Sequence, residues 1–457
     1  MVMQRGGRSI PSRSTGPSGP DKWYRPQQRS RHSHVTDAMS SSAKPSLGLA
    51  NLAGCPDCGL LQRVPGHLVA GTTVACRRCD AVLHRHQLDP LGRPLALALA
   101  ALCLYLAAVS LPLLSIDLRG RETSSTLLGL PGGFDRFDHW ELTAVTATTV
   151  LLLPLLRIAM LAAVLAGLRL RRPPRRLYRL YRWQAKLRPW AMVEVFLLGV
   201  FVAYTRLTAL ADVDVGPALW ALGGLMLVMV ATDAAQDEHA VWAALEQRGA
   251  TSGDTPLQGP NVIACDGCGL VSQAADGASC PRCAAQLRLR RPGSVARGWA
   301  LIIAATILYL PANAYPVMII TTLGRETPHT ILGGAEDLVG AGLWPLALLV
   351  FCASILVPVL KLLGLGVLLV AARRGASRRL RDLTRLHRLV NAVGRWSMID
   401  VFMLATLVAL VQAGLIASIA PGLGAPAFAA VVVLTMLAAE GFDARLIWDA
   451  AERRDTA

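Results

Sequence analysis

The chain has 457 residues, of which 53% are hydrophobic and 17% charged, and its formal net charge is +16. That is too apolar for an ordinary soluble domain, and several runs reach the roughly 20 apolar residues needed to cross a hydrocarbon core. In a soluble protein the charge would suggest a nucleic-acid partner, but here the arginines cluster beside apolar runs, as the positive-inside rule expects, so none is expected.

In chain order, residues 1–50 are rich in Ser, Pro, Gly and Arg and lack an apolar h-region, which predicts a disordered basic tail rather than a secretory signal. A first cysteine module occupies 51–92 and contains "CPDCGLLQRVPGHLVAGTTVACRRC", Cys55 to Cys79. A first bundle, 93–235, holds apolar spans expected near 95–116, 142–168, 191–209 and 218–231, with "ADVDVGP" read as a short turn before the fourth. A polar linker, 236–260, leads to a second cysteine module at 261–291, "CDGCGLVSQAADGASCPRC", Cys265 to Cys283. The second bundle, 292–457, ends in a polar C-terminal tail and has spans expected near 300–320, 343–371, 398–417 and 425–439.

The halves are a parallel repeat. At an offset of 204, Tyr105 matches Tyr309, Pro112 matches Pro316, "GRET" matches "GRET", Pro154 matches Pro358 and Arg157 matches Lys361. At 206, "WAMVEVF" matches "WSMIDVF" and Trp242 matches Trp448. The loop after the second span carries Arg169, Arg171, Arg172, Arg175, Arg176, Arg179, Arg182, Lys186 and Arg188, and its counterpart is equally basic, from Arg373 through Arg378 to Arg395. The opposite loops hold only Arg119, Arg121, Arg136 and Arg325. The positive-inside rule then puts the basic loops, both cysteine modules and both termini in the cytoplasm.

Cytoplasmic thiols stay reduced. Cys55, Cys58, Cys76 and Cys79, and likewise Cys265, Cys268, Cys280 and Cys283, are therefore read as two closed four-thiolate sites, each for one structural zinc. His67, His84 and His86 lie nearby but are not needed as ligands. Lone Cys103 and Cys352 are read as packing residues.

Ionisable groups at membrane depth are functional candidates. Ser354, Pro358 and Lys361 share a helix face, with a kink expected at Pro358. Ser397 and Asp400 open the seventh span, and Asn313 between Pro311 and Pro316 suggests a broken helix. Lys361 and Asp400 could pair across facing helices. Arg157 and Glu194 are the first-half equivalents. No nucleophile elbow, HExxH or GxxxxGK[ST] motif is present, so neither conventional catalysis nor ATP hydrolysis is expected.

"LYLPANAYPVM", "TILGG", "GLWPLALLVFCASILVPVLKL", "GRWSMIDVF" and "TMLAAEGFDARLIWD", together with the paired cysteine modules, resemble the paraquat-inducible protein A family of bacterial inner-membrane proteins. "LYLAAVSLPLL" and "WAMVEVF" are degraded first-half forms of the same motifs. The resemblance implies membrane lipids as cargo and a periplasmic MCE-domain tunnel protein as partner, with this chain loading or unloading lipid. A membrane-anchored zinc or redox stress sensor and a passive scaffold for the tunnel are the alternatives. The expected fold is an all-α polytopic membrane protein of two tandem repeats, each a zinc-ribbon module followed by a four-helix bundle, about eight spans in all.

Overall fold

The computed structural model describes residues 52–65, 69, 71–118, 121–135, 137–208, 212–252, 259–322, 324–340, 342–375, 379–411 and 417–455. The expected tail, His67, Arg119, Arg136 and Arg378 lie outside them. Among the described residues, seven helices are long and apolar enough to cross a membrane: Gly92–Ser110, Trp140–Gly167, Pro217–Ala235, Ser294–Ala314, Trp344–Arg374, Leu380–Leu410 and Gly424–Gly441. Each half therefore traverses the bilayer several times, and the chain is a multi-pass membrane protein.

The third expected span, 191–209, is a helix of only 15 residues, Val193–Leu207. At 1.5 Å per residue it covers about 22 Å, short of the hydrocarbon thickness. Its counterpart Ile399–Leu410, the last 12 residues of the Leu380–Leu410 segment after the tighter turn Gly394–Met398, is buried along nearly its whole length. Short helices are tolerated here because they lie inside protein, where neighbouring helices rather than lipid surround them.

The all-α expectation is corrected. The first and fifth spans were expected to reach 116 and 320, but their helices stop at Ser110 and Ala314. Leu111 and Tyr315 then turn extended, at ψ 156° and 152°. Each precedes a proline, Pro112 or Pro316, whose ring excludes helical backbone from the residue before it. The chain continues as strands. Pro112–Leu118 pairs with Arg121–Thr126 on one side and Asp212–Val215 on the other, all antiparallel. Met318–Thr322 does the same with Arg325–His329 and Ala417–Pro421. The "ADVDVGP" turn is thus an edge strand, and the seventh span ends at Leu410 rather than 417. Ile116 faces Thr123 and Val213, as Ile320 faces Thr327 and Ile419, so the duplication extends to the register. Both sheets sit at the end of the bundle opposite the cysteine modules.

The expected kink at Pro358 takes the form of a π-helical turn, Cys352–Leu356, and Pro154 is preceded by another, Ala147–Leu152. Proline offers no N–H to the carbonyl four residues back and crowds it, and a wider turn relieves both. By contrast, the broken helix expected at Asn313 is not found. The helix continues through Pro311 to Ala314, and Asn313 Nδ2 donates to the Tyr309 carbonyl at 2.9 Å. The break falls at pre-proline Tyr315 instead. The linker 236–260 also contains a helix, Glu238–Gln247, capped by Asp237, whose Oδ1 accepts from Ala240 N at 3.0 Å.

Gly92–Ser110 packs between Pro217–Ala235 and Leu153–Gly167, and Ser294–Ala314 between Gly424–Gly441 and Val357–Arg374. The halves meet where Val193–Leu207 crosses Ile399–Leu410. There Phe196 and Phe402 pack edge to face, with centroids 5.6 Å apart. A Cβ at Gly199 would stand 2.9 Å from Phe402 Cβ and 3.1 Å from the Ile399 carbonyl oxygen. Gly199→Leu is expected to destabilise this junction by about 1–3 kcal/mol through overpacking. A thermal melt in detergent checks it, and an unchanged melting temperature would show that the helices can simply move apart.

Candidate metal centres and intramembrane polar cluster

Each cysteine pair sits on a hairpin turn that aims both sulfurs inward. Cys55 N bonds to Leu60 O and Gly59 N to Cys55 O, and the same two bonds recur at Cys265, with Leu270 and Gly269. Gly59 and Gly269 have φ of 74° and 71°, a left-handed turn that glycine adopts freely. At the second pairs the left-handed position falls to Asp80 and Ala284.

All eight thiols are buried, and within each group of four the sulfurs lie within 4.8 Å of one another. Cys55–Cys79 and Cys58–Cys76 are 3.4 and 3.6 Å apart, and Cys265–Cys283 and Cys268–Cys280 are 3.5 and 3.6 Å. Tetrahedral ligation at 2.3 Å implies sulfur edges of about 3.8 Å, so a small relaxation fits a metal in either group. The electrostatics agree. Hydrogen bonds from Cys55 and Cys58 hold Cys79 down to about 2, while the bond to Cys55 pushes Cys58 up. Cys280 is driven down and Cys268 up in the same way. Four such thiols cannot ionise together unless a cation shares their charge. Among the described residues no histidine joins either group.

The His84 ring lies tilted against His239, with centroids 4.3 Å apart, and burial, aided by the His239 charge, holds its pKa below the usual 6.5. The unfolded chain thus takes up this proton at higher pH than the folded one. The stabilisation is whole above the unfolded pKa and is lost as pH falls through it toward the folded value. Acidification from about pH 7 to about 5 is expected to lower the melting temperature, and His84→Asn to weaken that dependence. Equal pH profiles for the two proteins would refute this role.

Each module packs its cysteines on the bundle of the other half. Module two packs on the first bundle: its cysteines share a core with Leu177, Tyr181 and Trp242, and Arg182 Nη1 donates to Cys283 O at 3.2 Å. Module one packs on the second: its cysteines surround Trp448, and Arg388 Nη2 donates to Cys79 O at 2.9 Å and contacts its sulfur. Arg182 and Arg388 are repeat equivalents at offset 206, as are Trp242 and Trp448. Further ties of module one to the second half are Arg388 to Asp57 at 2.7 Å and Arg78 to Glu452 at 2.5 Å, while module two is also held to its own half by Arg445 to Asp266 at 3.1 Å. The two modules also touch, since a Cβ on Gly54 would meet Ala264 Cβ at 2.4 Å.

The intramembrane residues form two separate places. Asp400 is buried, with Oδ1 lacking a hydrogen-bond partner. Ser354, whose Oγ donates to Val350 O at 2.6 Å inside the π turn, lies beside it. Arg206 of the first half shares a 30 Å³ cavity with Asp400 and donates to Gly334 O at 3.1 Å. Lys361 is also buried, but it is not ion-paired with Asp400. Its Nζ donates to Gly394 O at 3.2 Å. Buried Ser397, in the Gly394–Met398 turn, leaves its Oγ unpartnered. Asn313 bonds within its own helix. In the first half, Arg157 is buried and bonded to Asp233, while Glu194 accepts from Arg395 of the second half at 3.3 Å. Glu194 and Asp400 thus each face an arginine of the opposite half.

Sequence reasoning missed Arg206, Arg388, Asp57 and Glu440. Arg206 and Glu440 could have been flagged as charges at the ends of apolar runs. Arg388 and Asp57 are 331 positions apart, and only the fold brings them together.

Comparison with known proteins adds an independent line. The family model described as paraquat-inducible protein A matches residues 91–246 and 295–452. The chain is 34% identical over 402 residues to "Intermembrane transport protein PqiA" of Escherichia coli K12, covering 86% of this chain and 95% of that protein. It is 31% identical over 400 residues to "Lipophilic envelope-spanning tunnel protein A" of the same organism, covering 87% and 91%. A "Probable intermembrane transport protein" of Haemophilus influenzae is 37% identical over 174 residues, 38% of this chain and 42% of that one. No solved structure matches. With both bundles matched in order and similarity along nearly the whole length, the chain belongs to the paraquat-inducible protein A family.

Proposed function

We propose that this protein is the inner-membrane component of an MCE-type intermembrane lipid transport system, loading or unloading lipid for a periplasmic tunnel protein. The observation that carries the reading is a multi-pass bundle with buried ionisable groups at membrane depth, in a chain similar over most of its length to proteins named for intermembrane transport. Buried charges are costly and are retained where they serve a pathway. The charge asymmetry of the loops supports cytoplasmic modules and termini, and the two three-stranded sheets then face the periplasm, with free edges for the tunnel protein.

The two four-thiolate groups are proposed to hold one structural zinc each. Burial of all eight sulfurs supports a structural ion over a sensing one. Cys55, Cys58, Cys76, Cys79, Cys265, Cys268, Cys280 and Cys283 would hold the ions and keep the modules folded against the bundles. Asp400, Lys361, Ser354 and Ser397 are proposed to handle protons or cargo, with Asn313, Arg157 and Glu194 supporting the helices around them. The test is transfer of labelled phospholipid between inner and outer membrane fractions in cells deleted for the gene. Restoration by the wild-type chain supports the reading, and wild-type transfer rates in the deleted cells would overturn it.

A further inference from the structure

Lys361 opens into a cavity of about 410 Å³ where the halves adjoin, lined also by Arg188 from the first half and by Gly394, Arg395, Ala439 and Glu440 from the second. The volume lies in the range of about 300–1,000 Å³ usual for small-molecule sites. Glu440 is in the last turn of Gly424–Gly441, and the Gly441 carbonyl accepts from Ser294 Oγ, at the start of the Ser294–Ala314 helix. The cavity therefore lies at the module end of the bundle.

Its charges are not all matched internally. Arg188 approaches Asp233 at 3.4 Å and Glu238 at 3.6 Å, and Arg395 approaches Glu194 at 3.3 Å. Lys361, 2% exposed, has no carboxylate within ion-pair distance among the described residues, and one carbonyl engages only one of its three donors. The repeat sharpens this. Its counterpart Arg157 is neutralised by Asp233. Counted from Trp242 and Trp448, the position of Asp233 is occupied in the second half by Ala439, which lines the cavity. A carboxylate is thus replaced by a methyl group and a space beside an unpaired cation. Glu440 supplies the opposite sign: its Oε2 accepts from Trp190 Nε1 at 3.1 Å, while its buried Oε1 has no partner.

On the lipid-transport reading, we propose that this cavity is a headgroup site for an aminophospholipid, with the phosphodiester taking the counter-ion place beside Lys361 and the ammonium bonding to Glu440 Oε1. A phosphate accepts several charge-assisted bonds at once, and a primary ammonium donates up to three. A trimethylated headgroup has no such donor, and a glycerol headgroup has no positive charge.

The test uses the full chain, loaded with zinc, in a neutral maltoside detergent. Lipid retained per chain is counted by native mass spectrometry after mixing with phosphatidylethanolamine, phosphatidylglycerol or phosphatidylcholine of matched acyl chains. The wild type is expected to retain phosphatidylethanolamine in preference to the other two. Ala439→Asp, which restores the first-half arrangement, and Lys361→Met are each expected to weaken that retention by about tenfold. Glu440→Gln is expected to erase the preference over phosphatidylglycerol. A melting curve and zinc content confirm that each variant is folded, and two independent variants guard against the loss of one. Wild-type retention by both Ala439→Asp and Lys361→Met overturns the site. Displacement of the lipid by an equal concentration of soluble phosphoethanolamine overturns the lipid assignment. Binding is read without transfer, so either failure leaves the transport reading standing.

Discussion

The Cys265→Ser, Cys268→Ser double variant is expected to retain one metal ion per chain against two in the wild type, and its second module to detach from the first bundle. The cysteines are themselves part of the core that includes Tyr181 and Trp242, whose rings stack edge to face at 5.1 Å. Free energies of about 10–16 kcal/mol accompany structural zinc binding, so the loss far exceeds what the surrounding hydrogen bonds can offset. Elemental analysis of purified protein and limited proteolysis of the module give the two readouts. The matching change at Cys55 and Cys58 is expected to release module one from Arg388 and Trp448. Two metal ions per chain in either double variant would show that the thiols are not the ligands.

Asp400→Asn and Lys361→Ala are each expected to abolish lipid transfer while the chain still reaches the membrane. Asp400→Asn keeps the shape but removes the ionisable group beside Ser354, opposite Arg206. Loss of an ionisable group at membrane depth removes any proton or cargo step that depends on its charge. Lys361→Ala leaves the Gly394 carbonyl without its donor and empties one wall of the 410 Å³ cavity. Labelled-lipid transfer and complementation of membrane-damage sensitivity are the measurements. Full activity in both variants would end the idea of a proton or cargo pathway through these residues. The structure changes how such a pathway must be drawn. Lys361 and Asp400 are not an ion pair but lie in two separate places, one beside the 410 Å³ cavity and one at the Arg206 interface.

Local chemistry was legible in the sequence where it depends on neighbours along the chain. CxxC spacing, apolar run length, proline position and the repeat are one-dimensional signals, and the structure places two four-thiol groups and a duplicated bundle where they point. The sheets were not legible because Pro112–Leu118 and Met318–Thr322 are apolar enough to read as the tails of spanning helices. Only the pre-proline effect at Leu111 and Tyr315, together with partners from other loops, turns them into strands.

By itself, the sequence determined a membrane chain built twice, with two thiol modules and ionisable residues at depth, because hydropathy, spacing and repetition are properties of contiguous residues. Tertiary structure decided which module meets which bundle, that Asp400 faces Arg206 while Lys361 has no carboxylate at ion-pair distance among the described residues, and that a cavity replaces the missing Asp233 equivalent. Those outcomes depend on groups hundreds of positions apart, whose approach is set by how the helices of two halves pack and not by any pattern along one of them.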